Sequence, residues 1–575
     1  MSLLVWPLTL LSLIFMYPWA RWLLHRAEGR AMLPTYNPLL SVLTTVGLSI
    51  GTLSLVMLWM GLLGIRLDWR LAALVCLVIG ASGLFAKDKP SLLHDTPAYA
   101  APPEPLQKLA RAAWIIITVL CGLILFNAVY WPFGIDDALV IYASFGKSIA
   151  TTGWLPFGKL YEAYPMLIPL DYAFVFQSSG WTNEYLAALY PALLSIGVVG
   201  VAYQLGRELI NRAAGLIAAL LIVLCPMFTH WASTGYVDLP AGFFYGMTVL
   251  FLARSGRTHT WADALLAGLM AGFAAWTKNS TLLIVPCIAL WVVYRWWLVK
   301  VARIDRRQRL FKTQHVLLIA IGFVAVAGAW YARNLLMAGL LVPPTAWADK
   351  AARTLPNLFP YLVDSRYGVI GPLFTAGGIY IIWQCWQTRG RDPLPMLLAI
   401  FTLPFGAVWW LIVSYDDRFL LVLTPLVAVM AALVVQEVWR RVPQRFIWLA
   451  YAIPMIVLLA LPAASTALDY KFDLLFHPFM SDAAKHHLRL GDRYEMALYL
   501  RTLPTGSRVL TQDLLLPFHA DGVQVQTDVW PDAAQFAAHP YDYWVLSPGA
   551  VLPEWFGQTE PIHKQGDYRL YKVMR

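Results

Sequence analysis

Charge is scarce in this 575-residue chain: only 13% of its residues are Asp, Glu, Lys or Arg, against about 25% in soluble domains. That scarcity excludes an ordinary soluble globular protein. Cysteine is scarce too. The five residues Cys76, Cys121, Cys225, Cys287 and Cys385 each sit inside an apolar run, which excludes a disulfide framework or a cysteine zinc site and predicts buried thiols. Acids are the rarest charges, 33 Asp and Glu against 43 Lys and Arg, for a net charge of +10. Such a balance suggests a nucleic-acid binder, but the cations lie in short loops between apolar runs, so no nucleic-acid partner is expected.

What is abundant is apolar sequence, 59% of the chain. Runs of about 17–25 apolar residues recur, long enough to cross a hydrocarbon core as helices. They predict a polytopic α-helical membrane protein with about 14 spans, from Leu3–Leu24 through Ala112–Val129, Ala213–Phe228, Leu239–Ala253, Trp261–Trp276, Val316–Trp330 and Phe419–Val435 to Ile447–Ala460. Leu3–Leu24 reads as a retained first span, since no small-residue cleavage site follows it.

Loop charges give the orientation. One set of alternate loops holds Arg21, Arg26 and Arg30, then Arg207 and Arg212, Arg254 and Arg257, the 303–312 cluster, and Arg440, Arg441 and Arg445. These loops are expected in the cytoplasm, leaving both termini outside a plasma (bacterial inner) membrane. The opposite loops hold the remaining polar residues of interest: Asp136, Asp137, Glu162 and Asp171 between Trp131 and Glu184, then Asp238, Lys278, Arg333, Asp416, Asp417 and Arg418. Convergence of acids and bases on one membrane face points to a site there.

Three regions are expected: a three-span extension and linker (1–111), a transmembrane core with its first outer loop (112–468, loop 131–184), and a small outer α/β domain (469–575). In the last, Asp492 to Leu503 reads as an amphipathic helix, and "SRVLTQ", "VQVQTDV", "YDYWVLSP" and "YRLYKV" read as strands. His486 and His487 are neighbours on a helix, so they point different ways and are not expected to share a metal.

Carboxylates and cations at an outer membrane face suit sugar transfer from a polyprenyl-phosphate carrier. A carboxylate takes the acceptor's hydroxyl proton, and Lys or Arg offsets the charge growing on the leaving phosphate. No nucleotide sugar exists outside the cell, so a lipid-linked donor is the natural one. A transporter or flippase would place ionisable groups at mid-membrane and often show repeated halves. An O-antigen ligase or polymerase would more readily use a long outer loop rich in Arg and His. A structural assembly subunit would have no use for the polar cluster.

The segments "GIDDALVIYASFGKSIATTGWLP", "STGYVDLPAGFFYGMTVLFLARSG", "LLAGLMAGFAAWTKNSTLLIVPCIAL", "AGAWYARNLLMAGLLVPP" and "YDDRFLLVLTPL" occur in this order, at predicted outer ends. Together they resemble the C-type glycosyltransferases, in the branch of the protein O-mannosyltransferases and the lipid A aminoarabinose transferase. The resemblance covers roughly Ala112 to Ala460 and implies that fold, with membrane lipids, a polyprenyl-phosphate-sugar donor and a glycan, lipid or protein acceptor as partners.

By that resemblance Asp136 matches the catalytic base and Asp137 a second acid. Lys278, Arg333 and Arg418 match positions near the carrier phosphate, each near water and tolerant of neutralisation. Glu162, Tyr164, Asp238, Asn334 and Asp417 are further substrate-binding candidates. In "YEAYPML", Ala163 and Tyr164 replace the middle of the family's Glu-Lys-Pro-Pro, so that Lys is absent. No cofactor is firmly implied, and a divalent metal stays open. Plainer roles compete: the acidic pair could cap the next helix, the cations could snorkel to headgroups, Asp238 could start a helix, and Asp416 and Asp417 could pair locally with Arg418.

Overall fold

The computed structural model describes residues 5–28, 37–86, 104–134, 137–156, 164–301, 312–342, 370–414, 416–441, 479–527, 536, 541–557 and 560–573. Among the described residues, seven helices are long and apolar enough to cross a membrane, from Pro38–Leu62 to Asp417–Arg441. The chain is an integral membrane protein. Several expected spans are shorter or broken. Leu3–Leu24 becomes two helices, Val5–Ser12 and Tyr17–Glu28. Ala213–Phe228 divides into Arg212–Val223 and Pro226–Trp231, because Pro226 cannot continue a helix and instead starts the next one. The expected span Ile447–Ala460 lies outside the described residues. All five cysteines are free thiols; three are buried and Cys121 and Cys385 half-buried.

The core is built on the helix Asp238–Thr258, almost wholly buried. Its 21 residues rise about 31 Å at 1.5 Å each, close to the thickness of a hydrocarbon core. Charge clusters form towards both ends. At the predicted cytoplasmic end Arg254 pairs with Asp263 (3.2 Å) and Glu208 (3.5 Å), and Arg257 pairs with Glu208 (2.8 Å). Asp238 opens the other end.

Small residues set how closely the neighbours approach. Gly242 lies one turn beyond Asp238; a Cβ there would come within 3.1 Å of the carbonyls of Leu421 and Val422. This contact holds the tight helix Asp417–Leu423, and so Arg418, against the start of Asp238–Thr258. Gly268 and Gly272 form a small-xxx-small face on Trp261–Thr277, packed on Thr313–Phe323 and the wider turn Val324–Gly328. Trp261–Thr277 ends at Lys278, whose backbone is extended.

The tail forms a five-stranded sheet of β1 (Arg508–Thr511), β2 (Gln524–Thr527), β3 (Tyr543–Leu546), β4 (His563–Gln565) and β5 (Tyr568–Lys572), in the order β2-β1-β3-β5-β4. β1 runs parallel to β2 and β3; β5 is antiparallel to β3 and β4. Four strands fall inside the segments read from alternation and β-branched or aromatic content. β4 was not foreseen, since "HKQ" has neither alternation nor β-branched residues. The helix Asp492–Leu500 matches the amphipathic segment, and a second helix, Asp482–Leu490, precedes it.

This domain sits on the first outer loop through several contacts. Arg489 stacks over Trp131 (4.5 Å) and Lys485 over Tyr130 (3.9 Å), while Lys147 of helix Ser144–Thr152 donates to the Phe518 carbonyl and pairs with Asp521. His486 Nε2 faces Glu184 Oε1 at 3.1 Å. Burial alone would lower the His486 pKa, but its hydrogen bond to Glu184 and the Glu184 charge outweigh this and raise it. His519, buried beside it, is pushed down to about 4 by burial, with Glu184 opposing. His487 points away, towards Glu495 (3.4 Å), as expected of adjacent helical positions.

Candidate functional site

Three chain segments meet at the start of the helix Asp238–Thr258. The first is the outer loop as it enters the turn Ala138–Ala143, carrying Asp137. The second is Lys278, extended (φ −152) where Trp261–Thr277 stops. The third is "DDRF", where Asp416 accepts from the Arg418 backbone N–H (2.9 Å) and starts the tight helix carrying Arg418.

Their side chains form one ion-paired network. Arg418 is its hub: one Nη lies 2.8 Å from Asp137 and 3.0 Å from Asp416, and Nε lies 3.6 Å from Asp238. Asp238, 1% exposed, also pairs with Lys278. Aromatic faces flank the cations. Arg418 lies over Tyr236 (4.5 Å) and Trp231 (5.4 Å), and Lys278 over Phe419 (3.8 Å). The Asp137 backbone N–H donates to the Tyr236 hydroxyl (3.1 Å), which holds the loop to the hub.

Exposure is graded across the network. The Asp137 side chain is 35% exposed and that of Asp416 27%, whereas Lys278 and Asp238 are buried. Access is therefore from the Asp137–Asp416 side, with the Asp238–Lys278 pair as the floor.

The sequence candidates fall out as follows. Asp137, Asp238, Lys278 and Arg418 come together. Asp238 does start its helix, and Asp416 does pair with Arg418, so these plain roles coexist with membership of the site. Asp137 makes no side-chain cap bond to the turn it precedes; its carboxylate goes to Arg418 instead, against capping as its role. Lys278 corrects the expectation of a cation near water: it is buried and its partner is Asp238. Arg333 stacks over Trp330 (5.0 Å) and bonds Asn334 (2.9 Å). Its helix is tied to the network's floor, since the neighbouring Tyr331 hydroxyl donates to the Ala275 carbonyl (2.8 Å) and lies 2.9 Å from Asn279 Oδ1. Asn334 and Asp417 are buried and Tyr164 half-buried. Asp136 and Glu162 lie outside the described residues. Asp171 does not join the other acids. It is fully buried on helix Leu167–Ser179, neither oxygen has a hydrogen-bond partner among the described residues, and burial raises its pKa well above the carboxylate range.

Sequence reading did not single out Tyr236, although an aromatic two residues before Asp238 was a usable signal. It also missed Glu184 and His519, which meet His486 across hundreds of residues with no local pattern.

The family model described as dolichyl-phosphate-mannose-protein mannosyltransferase matches residues 165–331, which include Asp238 and Lys278 but not Asp137, Arg333 or Arg418. No curated protein sequence matches the chain. Among solved structures, ArnT from Cupriavidus metallidurans in the apo state is similar at 14% identity and a TM-score of 0.52, covering 80% of this chain and 98% of that one. The same protein bound to undecaprenyl phosphate gives the same values. An archaeal oligosaccharyltransferase, AglB from Archaeoglobus fulgidus in complex with an inhibitory peptide and a dolichol-phosphate, is similar at 12% identity and a TM-score of 0.49, over 77% of this chain and 70% of that one. By its fold and by the matched segment, the chain resembles the protein O-mannosyltransferase and aminoarabinose transferase branch of the polytopic C-type glycosyltransferases.

Proposed function

We propose that the chain is an inverting glycosyltransferase that moves a hexose or pentose from a polyprenyl-phosphate carrier to an acceptor hydroxyl at the outer face of the membrane. The observation that carries this reading is the network Asp137–Arg418–Asp238–Lys278, assembled at one end of a bilayer-length helix. It gives a partly exposed carboxylate and an ion-paired cation on the accessible side of a fold that, in ArnT, has been seen with undecaprenyl phosphate.

In this reading the acceptor oxygen attacks the anomeric carbon and its proton passes to Asp136, the residue next to Asp137. The bond from that carbon to the phosphate oxygen breaks, and the carrier leaves as polyprenyl phosphate. Arg418 and Arg333 meet the leaving charge. Lys278 is a positioning residue, because it reaches the site only through Asp238. Asp137 shares Arg418 with Asp238 and Asp416, so it orients that guanidinium as the phosphate arrives. Glu162, Tyr164, Asn334 and Asp417 are assigned to substrate-lining or structural roles.

The test uses purified protein in vesicles with a polyprenyl-phosphate carrier labelled in the sugar. Release of free polyprenyl phosphate matched by label on an acceptor fraction is expected. Movement of intact carrier across the bilayer, with no release, would replace the reading by a flippase. Orientation has its own check. A reporter fused after Arg575 should be active only in the outer compartment, because the loop cations place both termini there; cytoplasmic activity would invert the topology and put the network on the wrong face.

A further inference from the structure

We infer that Glu184, His486 and His519 form a zinc-class divalent metal site that fastens the tail domain to the first outer loop. The three residues are buried, and one ligand atom from each lies within 4.8 Å of the others. They come from three elements: the start of the 184–209 span, the helix Asp482–Leu490 and the short helix Leu516–His519. Two imidazoles and one carboxylate are a borderline-hard set of the kind zinc takes, with a fourth position left for water.

The hydrogen-bond pattern supports a cation at this point. His486 Nδ1 lies 2.9 Å from the Asp482 carbonyl, which can only accept, so that nitrogen carries a proton. Its other nitrogen, Nε2, then faces Glu184 Oε1 at 3.1 Å, and His519 Nδ1 approaches the same oxygen at 3.9 Å. A metal ion at this point would take a lone pair from each of the three groups; a proton on His486 Nε2 donated to Glu184 is the competing arrangement. His519 Nε2 is buried without a hydrogen-bond partner. Zinc bonds of about 2.0–2.2 Å put tetrahedral ligand atoms roughly 3.3 Å apart, close to the 3.1 and 3.9 Å found. The other carboxylate oxygen of Glu184 accepts from the Phe133 backbone N–H (2.9 Å), a second contact that would orient the ligand. Nearby cations do not forbid the ion, since Lys147 and Arg501 are both paired with Asp521.

The location gives the site a purpose separate from the Arg418 network. Glu184 holds Phe133, three residues before Asp136, while both histidines belong to the tail. A metal here would lock the tail against the loop that leads to the acidic pair.

The test is metal content and metal-dependent stability of the full-length protein, purified in detergent without chelator or an added metal-affinity step. About one zinc per chain is expected. After chelation, zinc sulfate should restore a higher melting temperature and protection of the tail from limited proteolysis. His519→Gln and the double variant His486→Gln/His519→Gln should bind zinc at least about tenfold more weakly, whereas His487→Gln, altered at the exposed neighbour, should bind normally. Wild-type protein with no stoichiometric zinc and no response of melting or proteolysis to added zinc would overturn the site, leaving a proton shared between His486 and Glu184. Equal zinc binding by the double variant would also overturn it, by placing the metal elsewhere. Because the wild-type measurement stands alone, a variant that fails to fold does not protect the inference.

Discussion

Asp136→Asn should insert and fold, still bind the carrier lipid, and lose sugar transfer by about two to four orders of magnitude, the usual contribution of a positioned general base. Asparagine keeps the size of aspartate but cannot take a proton at neutral pH. It is also nearly as good a helix cap, so a residue that merely starts the helix would tolerate the change. Asp137 gives the internal comparison. Its carboxylate is held by Arg418 at 2.8 Å, which commits it to orienting that guanidinium. Asp137→Asn frees Arg418 from one of three carboxylates and should reduce transfer less, with the loss weighted towards substrate affinity. The measurement is single-turnover release of labelled sugar by each purified variant, beside a carrier-binding assay. Near-normal transfer by Asp136→Asn would remove it as the base.

The membrane class and the placing of the network were legible because both rest on long-range regularities. Apolar runs of span length identify the helices, and the cationic loops sort their ends. Once sorted, Asp137, Asp238, Lys278 and Arg418 fall at one end whatever the packing. Four strands of the tail sheet were legible more locally, from β-branched and aromatic content; β2 alternates in burial, while β1 and β3 are each buried over three successive residues. What sequence could not give is partnership. Lys278 reads as a lysine at a helix exit, the usual place for a side chain to reach water. Only the approach of the Asp417–Leu423 segment, allowed by Gly242, and the extended backbone of Lys278 at the end of Trp261–Thr277 bring it to Asp238. Asp171 shows the converse. It lies in a loop of polar candidates yet faces the interior, because Leu167–Ser179 buries nearly every side chain and has no polar stripe to announce a direction. Glu184, His486 and His519 were invisible for a simpler reason: a cluster drawn from a loop end and two distant helices leaves no spacing in the sequence.

Lys278→Met should be strongly destabilising. The lysine is 7% exposed and its partner Asp238 is 1% exposed. Removing one member of a buried pair leaves the other as an uncompensated charge and costs about 3–5 kcal/mol. Arg418 cannot take over fully, because its Nε stands 3.6 Å from Asp238 while its Nη group is committed to Asp137 and Asp416. Asp238→Asn should cost a similar amount by stranding the ammonium against Phe419, where a ring face 3.8 Å away offsets only part of the lost charge. The double variant Asp238→Asn/Lys278→Met removes both charges and fills the space with an apolar chain of similar length. Buried pairs replaced in this way are often close to neutral in stability, so the double variant should regain most of what either single variant loses. Thermal denaturation of the four proteins in one detergent gives the coupling directly. The double variant should nevertheless transfer sugar poorly, since Arg418 loses Asp238, the carboxylate that steers it towards the accessible side. A Lys278→Met protein as stable as wild type would show that the pair is not a buried structural floor. Full transfer by a stable double variant would show that Asp238 does not position Arg418 at all.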